Sequence, residues 1–349
     1  MATRALYERN RVLALGQFIS LLIALTGVFT QMLSQSFQIQ IPVTQSAGNY
    51  LLLCIYLAYP IMRYRREKDY ALELLGNDEL TAHFGLLCIP LWKYMLLAFA
   101  DVEGNFLVVC AYKYTSISSA MLLDCFTIPV VMLLSALFLN AKYTRLHFVA
   151  VGCCLGGITV LVVSDILRER AAWSDDKTVS ATAWNASALY GDFLCLVGSA
   201  IYACSNVGQE YLVKKNRRME FLGMLGICGF VMSSIQAAVF EGEALQSVQW
   251  TTPSVLCLLA YVVTLFLMYT CTSIFLQDGD AAVFNLSLLT SDFFAVVAAK
   301  YLFDEELSWL YFVGFTLIIA GILVYNRAPT TDLDGALEST RLLPVLTAK

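Results

Sequence analysis

Apolar residues in this chain fall in repeated runs of about 18–25, the length that crosses about 30 Å of hydrocarbon at about 1.5 Å per residue. Short polar segments separate the runs. The pattern predicts ten helices, over residues 12–33, 47–63, 88–112, 116–139, 147–164, 187–213, 220–240, 254–276, 281–303 and 308–326. Ten is an even number, so both chain ends are expected on the same side of the membrane. The first run is long and no small-residue cleavage site follows it, so it reads as a span and not as a secretory leader.

Charge orients these spans. One set of connecting segments carries Arg4, Arg9, Arg11, Arg63, Arg65, Arg66, Lys68, Lys142, Arg145, Lys214, Lys215, Arg217, Arg218 and Arg327. The other holds only Lys113, Arg168, Arg170, Lys177 and Lys300. Basic residues collect on the cytoplasmic side, which places residues 1–11 and the tail 327–349 in the cytoplasm. The polar stretch 165–186 then becomes a non-cytoplasmic linker between two five-helix repeats, 12–164 and 187–326. Thr115–Val162 aligns without a gap on Gln277–Val324, pairing Ala120 with Ala282 and Gly152 with Gly314. Five is odd, so a second copy would be inverted, an architecture that puts a binding site at the repeat interface.

Composition agrees with this fold class, an all-α polytopic membrane protein. Apolar residues make up 59% and charged residues 14%, with a mean hydropathy of +0.69. A soluble domain of this size needs more charge to cover its surface. A net charge of −5 argues against nucleic-acid partners. All eleven cysteines lie within apolar runs, so no disulfide framework is expected. His83 and His147 are far apart in sequence, and no metal motif, phosphate loop or nucleophile–base pair appears. No cofactor and no enzyme activity are expected.

Candidate chemistry comes from polar groups set where lipid should be, because an ionisable residue at that depth faces a cavity or a partner. Asp101, Glu103 and Asn105 share the third predicted span; at about 100° per residue Asp101, Asn105 and Tyr112 form one stripe and Glu103 points away. Asp124 lies five residues before Pro129, where a kink is expected. Asn206 and Glu210 are one turn apart, and Asn285 and Asp292 share a face. The deep charges are all acidic, which suits a cationic or neutral polar solute, or a proton, better than a diphosphate. The bland reading of each group is structural glue between helices. Gly156, Gly157, Gly223 and Gly226 read as close-packing positions. Formal glycosylation triplets at Asn185 and Asn285 lie too near or inside the membrane to be acceptors.

At these residues the sequence resembles the drug/metabolite transporter superfamily, and within it the F subfamily of solute carrier family 35. The strings that carry the resemblance are Asp101-Val-Glu-Gly-Asn105, Leu122-Leu-Asp-Cys-Phe-Thr-Ile-Pro129, Ser205-Asn-Val-Gly-Gln-Glu-Tyr211, Glu220-Phe-Leu-Gly-Met224 and Asn285-Leu-Ser-Leu-Leu-Thr-Ser-Asp292. The resemblance implies ten helices in two inverted repeats, alternating access and a small-molecule substrate. Family analogy points to nucleobase- or nucleoside-like solutes such as queuine, or to thiamine-like cations, with nucleotide sugars as the second reading. Two positions depart from the family pattern: Cys110 replaces a basic residue, with Lys113 a turn later, and Gln209-Glu210 replaces two acids. Tyr112, Phe106 and Phe284 are candidate stacking rings for a flat solute. Asp101 or Asp124 would bind it, and Glu103 or Asp292 would carry a proton if transport is proton-coupled rather than facilitative.

A reading of another class is a membrane scaffold or receptor-like protein, which would tolerate Glu103→Gln and Asp124→Asn. In the tail, Glu338-Ser-Thr-Arg-Leu342-Leu343 fits the acidic dileucine pattern of clathrin-adaptor cargo. It suggests the plasma membrane and endosomes over the ER or Golgi. Oligomeric state is not legible.

Overall fold

The computed structural model describes residues 2–59, 61–62, 89–111, 114, 123–173, 186–215, 218–303 and 309–328. Among them there are eleven α-helices and no strand. They are α1 Ala2–Gln35, α2 Pro42–Leu53, which continues in a 3₁₀ turn Cys54–Leu57, α3 Leu91–Ala111 and α4 Thr127–Phe138. Then come α5 Arg145–Trp173, α6 Ala186–Lys214, α7 Arg218–Phe240, the short α8 Gly242–Ser247, α9 Thr252–Asp278, α10 Ala281–Phe303 and α11 Trp309–Arg327. Among the described residues, four helices contain stretches long and apolar enough to cross a membrane: Asn10–Ser34, Leu91–Ala111, Arg218–Phe240 and Thr252–Asp278. Shorter apolar helical stretches lie at Thr127–Phe138, Arg145–Val160, Ala281–Ser291 and Phe312–Arg327. The protein is an all-helical, polytopic membrane protein.

Several boundaries differ from expectation for physical reasons. The 165–186 linker is not wholly loop, since α5 runs on to Trp173. The segment between the seventh and eighth predicted spans holds α8. Pro129 sits in the first turn of α4 and does not kink its middle; just upstream the chain closes i→i+3 turns, with Phe126 N donating to Leu123 O and Ile128 N to Cys125 O. A proline lacks an amide donor, so it is tolerated where a helix starts.

Side-chain contacts fix the helix directions. Arg11 meets Asp278 and Cys257 meets the Phe29 carbonyl, so α1 and α9 run antiparallel. The pair α2 and α7 is antiparallel too, with Leu57 at Gly223 and Tyr50 at Gly229, as is α3 with α6, with Leu97 at Gly208 and Gly104 at Tyr202. Tyr94 bonds Glu220 and Glu103 bonds Gln236, so α3 and α7 are parallel. The tightest seam is α5 against α11, where His147 packs on Tyr325 and a Cβ on Gly157 would lie 2.7 Å from the Gly314 carbonyl. Helix α1 packs on α9 and α10, and α6 packs correspondingly on α3 and α4. Likewise α2–α9 matches α7–α3 when the first five long helices are exchanged with the last five.

Tertiary contacts also complete the helix ends. Ile41, at the start of α2, offers no side-chain cap. Glu241, 6% exposed at the end of α7, takes that role: its carboxylate accepts from Val43 N at 2.7 Å, Thr44 N at 2.8 Å and Thr44 Oγ1 at 2.6 Å. These are charge-assisted bonds at a helix N-terminus, where a negative group is favoured. Glu241→Ala is expected to lower stability by about 1–2 kcal/mol, on the scale of a lost N-cap. Thermal unfolding in detergent checks it; an unchanged midpoint would show that the cap is idle.

Candidate functional site

The centre of the bundle is organised around Asp101 on α3, which is 1% exposed. One carboxylate oxygen, Oδ2, accepts hydrogen bonds from the hydroxyls of Tyr50 on α2 and Tyr269 on α9, both at 2.7 Å. The other, Oδ1, accepts from Ser205 Oγ at 3.1 Å and Gln209 Nε2 at 3.3 Å, both on α6. Gln209 also donates to Ser205 Oγ at 3.1 Å, and the two phenol oxygens are 3.3 Å apart. Four helices are thereby tied at one point. Four donors leave this carboxylate little capacity for anything else.

Glu103, two residues on, has different surroundings. It is half-buried and accepts from Gln236 Nε2 of α7 at 2.7 Å. Asn105 is exposed, although it was expected to share a stripe with Asp101. Phe106 packs on Phe240 with ring centroids 5.1 Å apart. Phe284 is 2% exposed and tilted against Phe275, so it belongs to the core and is no free stacking surface.

Asn206, Glu210 and Asn285 come together at the α6–α10 seam. Asn206 Nδ2 donates to Asn285 Oδ1 at 3.0 Å, and Asn285 Nδ2 to the Ala281 carbonyl at 2.7 Å. Glu210, 2% exposed, accepts from Ala281 N at 2.8 Å and Lys214 Nζ at 2.6 Å. It thus completes the N-terminus of α10, beside Asp280, whose side chain accepts from Val283 N at 2.8 Å. In this arrangement the three are helix-joining groups.

Asp124 stands apart. Its Oδ1 accepts from Ser199 Oγ at 2.8 Å, and the residue keeps some accessible surface although Cys125, Thr127 and Ser199 around it are buried. On α6, Tyr202 lies three residues after Ser199, which bonds Asp124, and three before Ser205, which bonds Asp101, and its hydroxyl interacts electrostatically with both acids. Among the described basic side chains, Lys93, Lys142, Arg145, Lys214, Lys215, Arg218 and Arg327 lie at or near helix ends, and Arg11 lies in the first third of α1.

Tyr112 and the tail residues Glu338, Leu342 and Leu343 lie outside the described residues; Asp292 is on α10 with its side chain also outside them. Sequence reasoning missed Tyr50, Tyr202, Tyr269 and Gln236. A tyrosine in an apolar run is unremarkable on its own, and only the fold shows whose hydroxyl meets a carboxylate. Gln209 and Ser205 carried a signal, as polar residues one turn apart in a span. Among the described residues no group of His, Cys, Asp and Glu could hold a metal ion, and no disulfide joins the ten described cysteines.

A family model described as solute carrier family 35, of the SLC35F type, matches residues 7–327. The chain is 37% identical over 325 residues to solute carrier family 35 member F2 of Mus musculus, covering 93% of this chain and 80% of that protein. The Xenopus tropicalis protein of the same name is 35% identical over 329 residues, covering 94% and 79%. An uncharacterized solute carrier family 35 member of Schizosaccharomyces pombe is 34% identical, covering 90% of this chain and 57% of its own. One crystal structure, 14% identical, superposes with a TM-score of 0.64 over 95% of this chain and 99% of its own, which marks a common fold.

Proposed function

We propose that this chain, which belongs to solute carrier family 35, carries a small neutral or cationic heterocyclic solute across a membrane by alternating access. The family's members are membrane transporters and not enzymes, and that much holds for this chain. The observation that supports the finer reading is the sign of the interior. Asp101 and Asp124 both interact electrostatically with Tyr202, and no described Lys or Arg side chain stands beside them. Such an interior attracts a cation or a donor-rich ring and repels a diphosphate. This ranks a nucleotide sugar second.

The moving units in this reading are the two five-helix halves, 12–164 and 187–326, in ten spans. The exchangeable pairing of α1 with α9 and α10, and of α6 with α3 and α4, supports it. So does the ordering of ends. The first third of α1, which carries Arg11, and the ends of α6 and α9 lie toward one end of the bundle, as the Arg11–Asp278 pair and the Glu210–Ala281 bond show. Arg145, Lys214, Lys215, Arg218 and Arg327 are near that end, which in this reading is cytoplasmic.

The test is uptake by cells expressing the chain, with labelled guanine, adenosine, thiamine and a nucleotide sugar offered in parallel. Saturable uptake of one of the first three is expected, with kcat/KM reduced at least about tenfold in Asp124→Asn, the loss of one charge-assisted contact. Uptake of the nucleotide sugar alone would overturn the substrate class. A scaffold would show no uptake at all and an intact biological role in that variant.

A further inference from the structure

We propose that the solute is gripped at a subsite made by the second oxygen of Asp124 and the hydroxyl of Tyr202, so that Tyr202 is a specificity-determining residue selecting a hydrogen-bond donor or positive charge. The inference rests on the transport reading above and narrows it to two side chains.

The polar groups inside the bundle differ in whether their atoms have partners. Asp101 has four donors, so it is held by the protein and not available to a guest. Glu210, Asn206 and Asn285 are taken up by the α6–α10 seam. Asp124 is different: Ser199 donates to Oδ1, and no described residue donates to the other oxygen. The Tyr202 hydroxyl likewise has no partner among the described residues.

Both groups nevertheless lie inside the bundle. Tyr202 is surrounded on α6 by Ser199 and Ala203 at 0% exposure, Ser205 at 0% and Asn206 at 1%. Its backbone lies so close to α3 that a Cβ on Gly104 would come within 3.1 Å of Tyr202 N. Even so, Tyr202 and Asp124 both retain accessible surface. A deep polar atom that is open and unpaired borders a space that a water or a polar guest fills, because leaving it empty is unfavourable.

The chemistry of the pair then selects the guest. A carboxylate oxygen accepts and cannot donate when ionised, while a phenol hydroxyl does either. The phenol ring adds a face on which a cation or a flat heterocycle rests. A guest that offers an N–H or an ammonium to Asp124 and lays its ring on Tyr202 satisfies both. An anionic guest could take the phenol's proton as a donor, but it is repelled by Asp124 and leaves that carboxylate oxygen without a donor.

The experiment uses the full-length chain reconstituted in liposomes, as Tyr202→Cys and as Tyr202→Cys with Asp124→Asn. A cationic trimethylammonium methanethiosulfonate and its anionic sulfonate analogue are the probes. Labelling at position 202 is followed by peptide mass spectrometry, which separates it from the native Cys204. Rates are divided by those of each reagent with a free thiol in solution. The cationic reagent is expected to be favoured at least about tenfold with Asp124 present and to lose most of that advantage in the double variant. Equal normalised rates with Asp124 intact, or no labelling by either reagent, would overturn the subsite.

A second variant, Tyr202→Phe, keeps the ring and removes only the hydroxyl. It is expected to raise KM for the transported solute about tenfold with kcat little changed, a pattern that a merely structural hydroxyl would not give. An unchanged KM overturns the role given to Tyr202 while leaving transport standing. Absence of uptake by the unaltered chain counts against the transport reading, and the labelling ratio still decides whether the acidic cavity exists.

Discussion

Asp101→Ala is expected to destabilise the protein by about 2–4 kcal/mol and to abolish transport. The cost comes from what the substitution leaves behind. Tyr50, Tyr269, Ser205 and Gln209 are 2%, 7%, 0% and 4% exposed, so none can turn to water. A buried polar group without a partner costs about 1–3 kcal/mol. The loss is less than four times that, because Gln209 keeps its bond to Ser205 and the two phenols are near enough to pair. Asp101→Asn preserves the volume and one acceptor, so it should cost about half as much. Tyr50→Phe or Tyr269→Phe alone should cost about 1.5–3 kcal/mol each, the worth of one hydrogen bond to a charged group. The two phenols share one oxygen, so their combined loss should depart from the sum of the single losses. Thermal unfolding in detergent measures the series. A midpoint for Asp101→Ala equal to that of the parent would sink the assignment of the knot as the centre of the fold.

That knot shows how far the sequence alone could go. The period and length of the apolar runs were enough to place helices, because a span is dictated by bilayer thickness and backbone satisfaction. Depth also singled out Asp101, Glu103 and Asp124, since idle charge there is costly. Partners were beyond reach. Asp101 and Tyr269 are separated by 168 positions, and nothing local to either announces the other. Helical angle alone put Asp101 and Asn105 on one stripe, yet one is sealed and the other exposed, because α2, α6 and α9 close over only part of that face. The cap that Glu241 gives α2 is similarly invisible, being supplied across 197 positions. Small residues were read correctly as packing sites at Gly157, Gly223 and Gly226, but Gly156 has nothing within 4 Å of an added Cβ. Spacing cannot tell which of two adjacent glycines faces the neighbour.

Gly226→Ala should then be the most damaging single methyl addition available on the α2–α7 seam, with loss of both stability and uptake. The added Cβ would lie 2.7 Å from Cys54 N, 2.9 Å from Leu53 C and 2.9 Å from the Tyr50 carbonyl. All three atoms are backbone, so no rotamer change relieves the contact, and α2 itself must move. Overpacking of this kind costs about 1–3 kcal/mol. The further effect is functional. Tyr50 belongs to the stretch of α2 that is displaced, and its hydroxyl reaches Asp101 at 2.7 Å, so even a shift of a few tenths of an ångström weakens the knot. Gly156→Ala is the matched control: the same methyl on another helix meets open space and should be neutral or stabilising by up to about 1 kcal/mol, from the better helix propensity of alanine. Melting midpoints and uptake for both variants, measured side by side, decide the matter. Equal behaviour would mean that α2 and α7 are not in close backbone contact, and the placement of Tyr50 over Asp101 would fall with it.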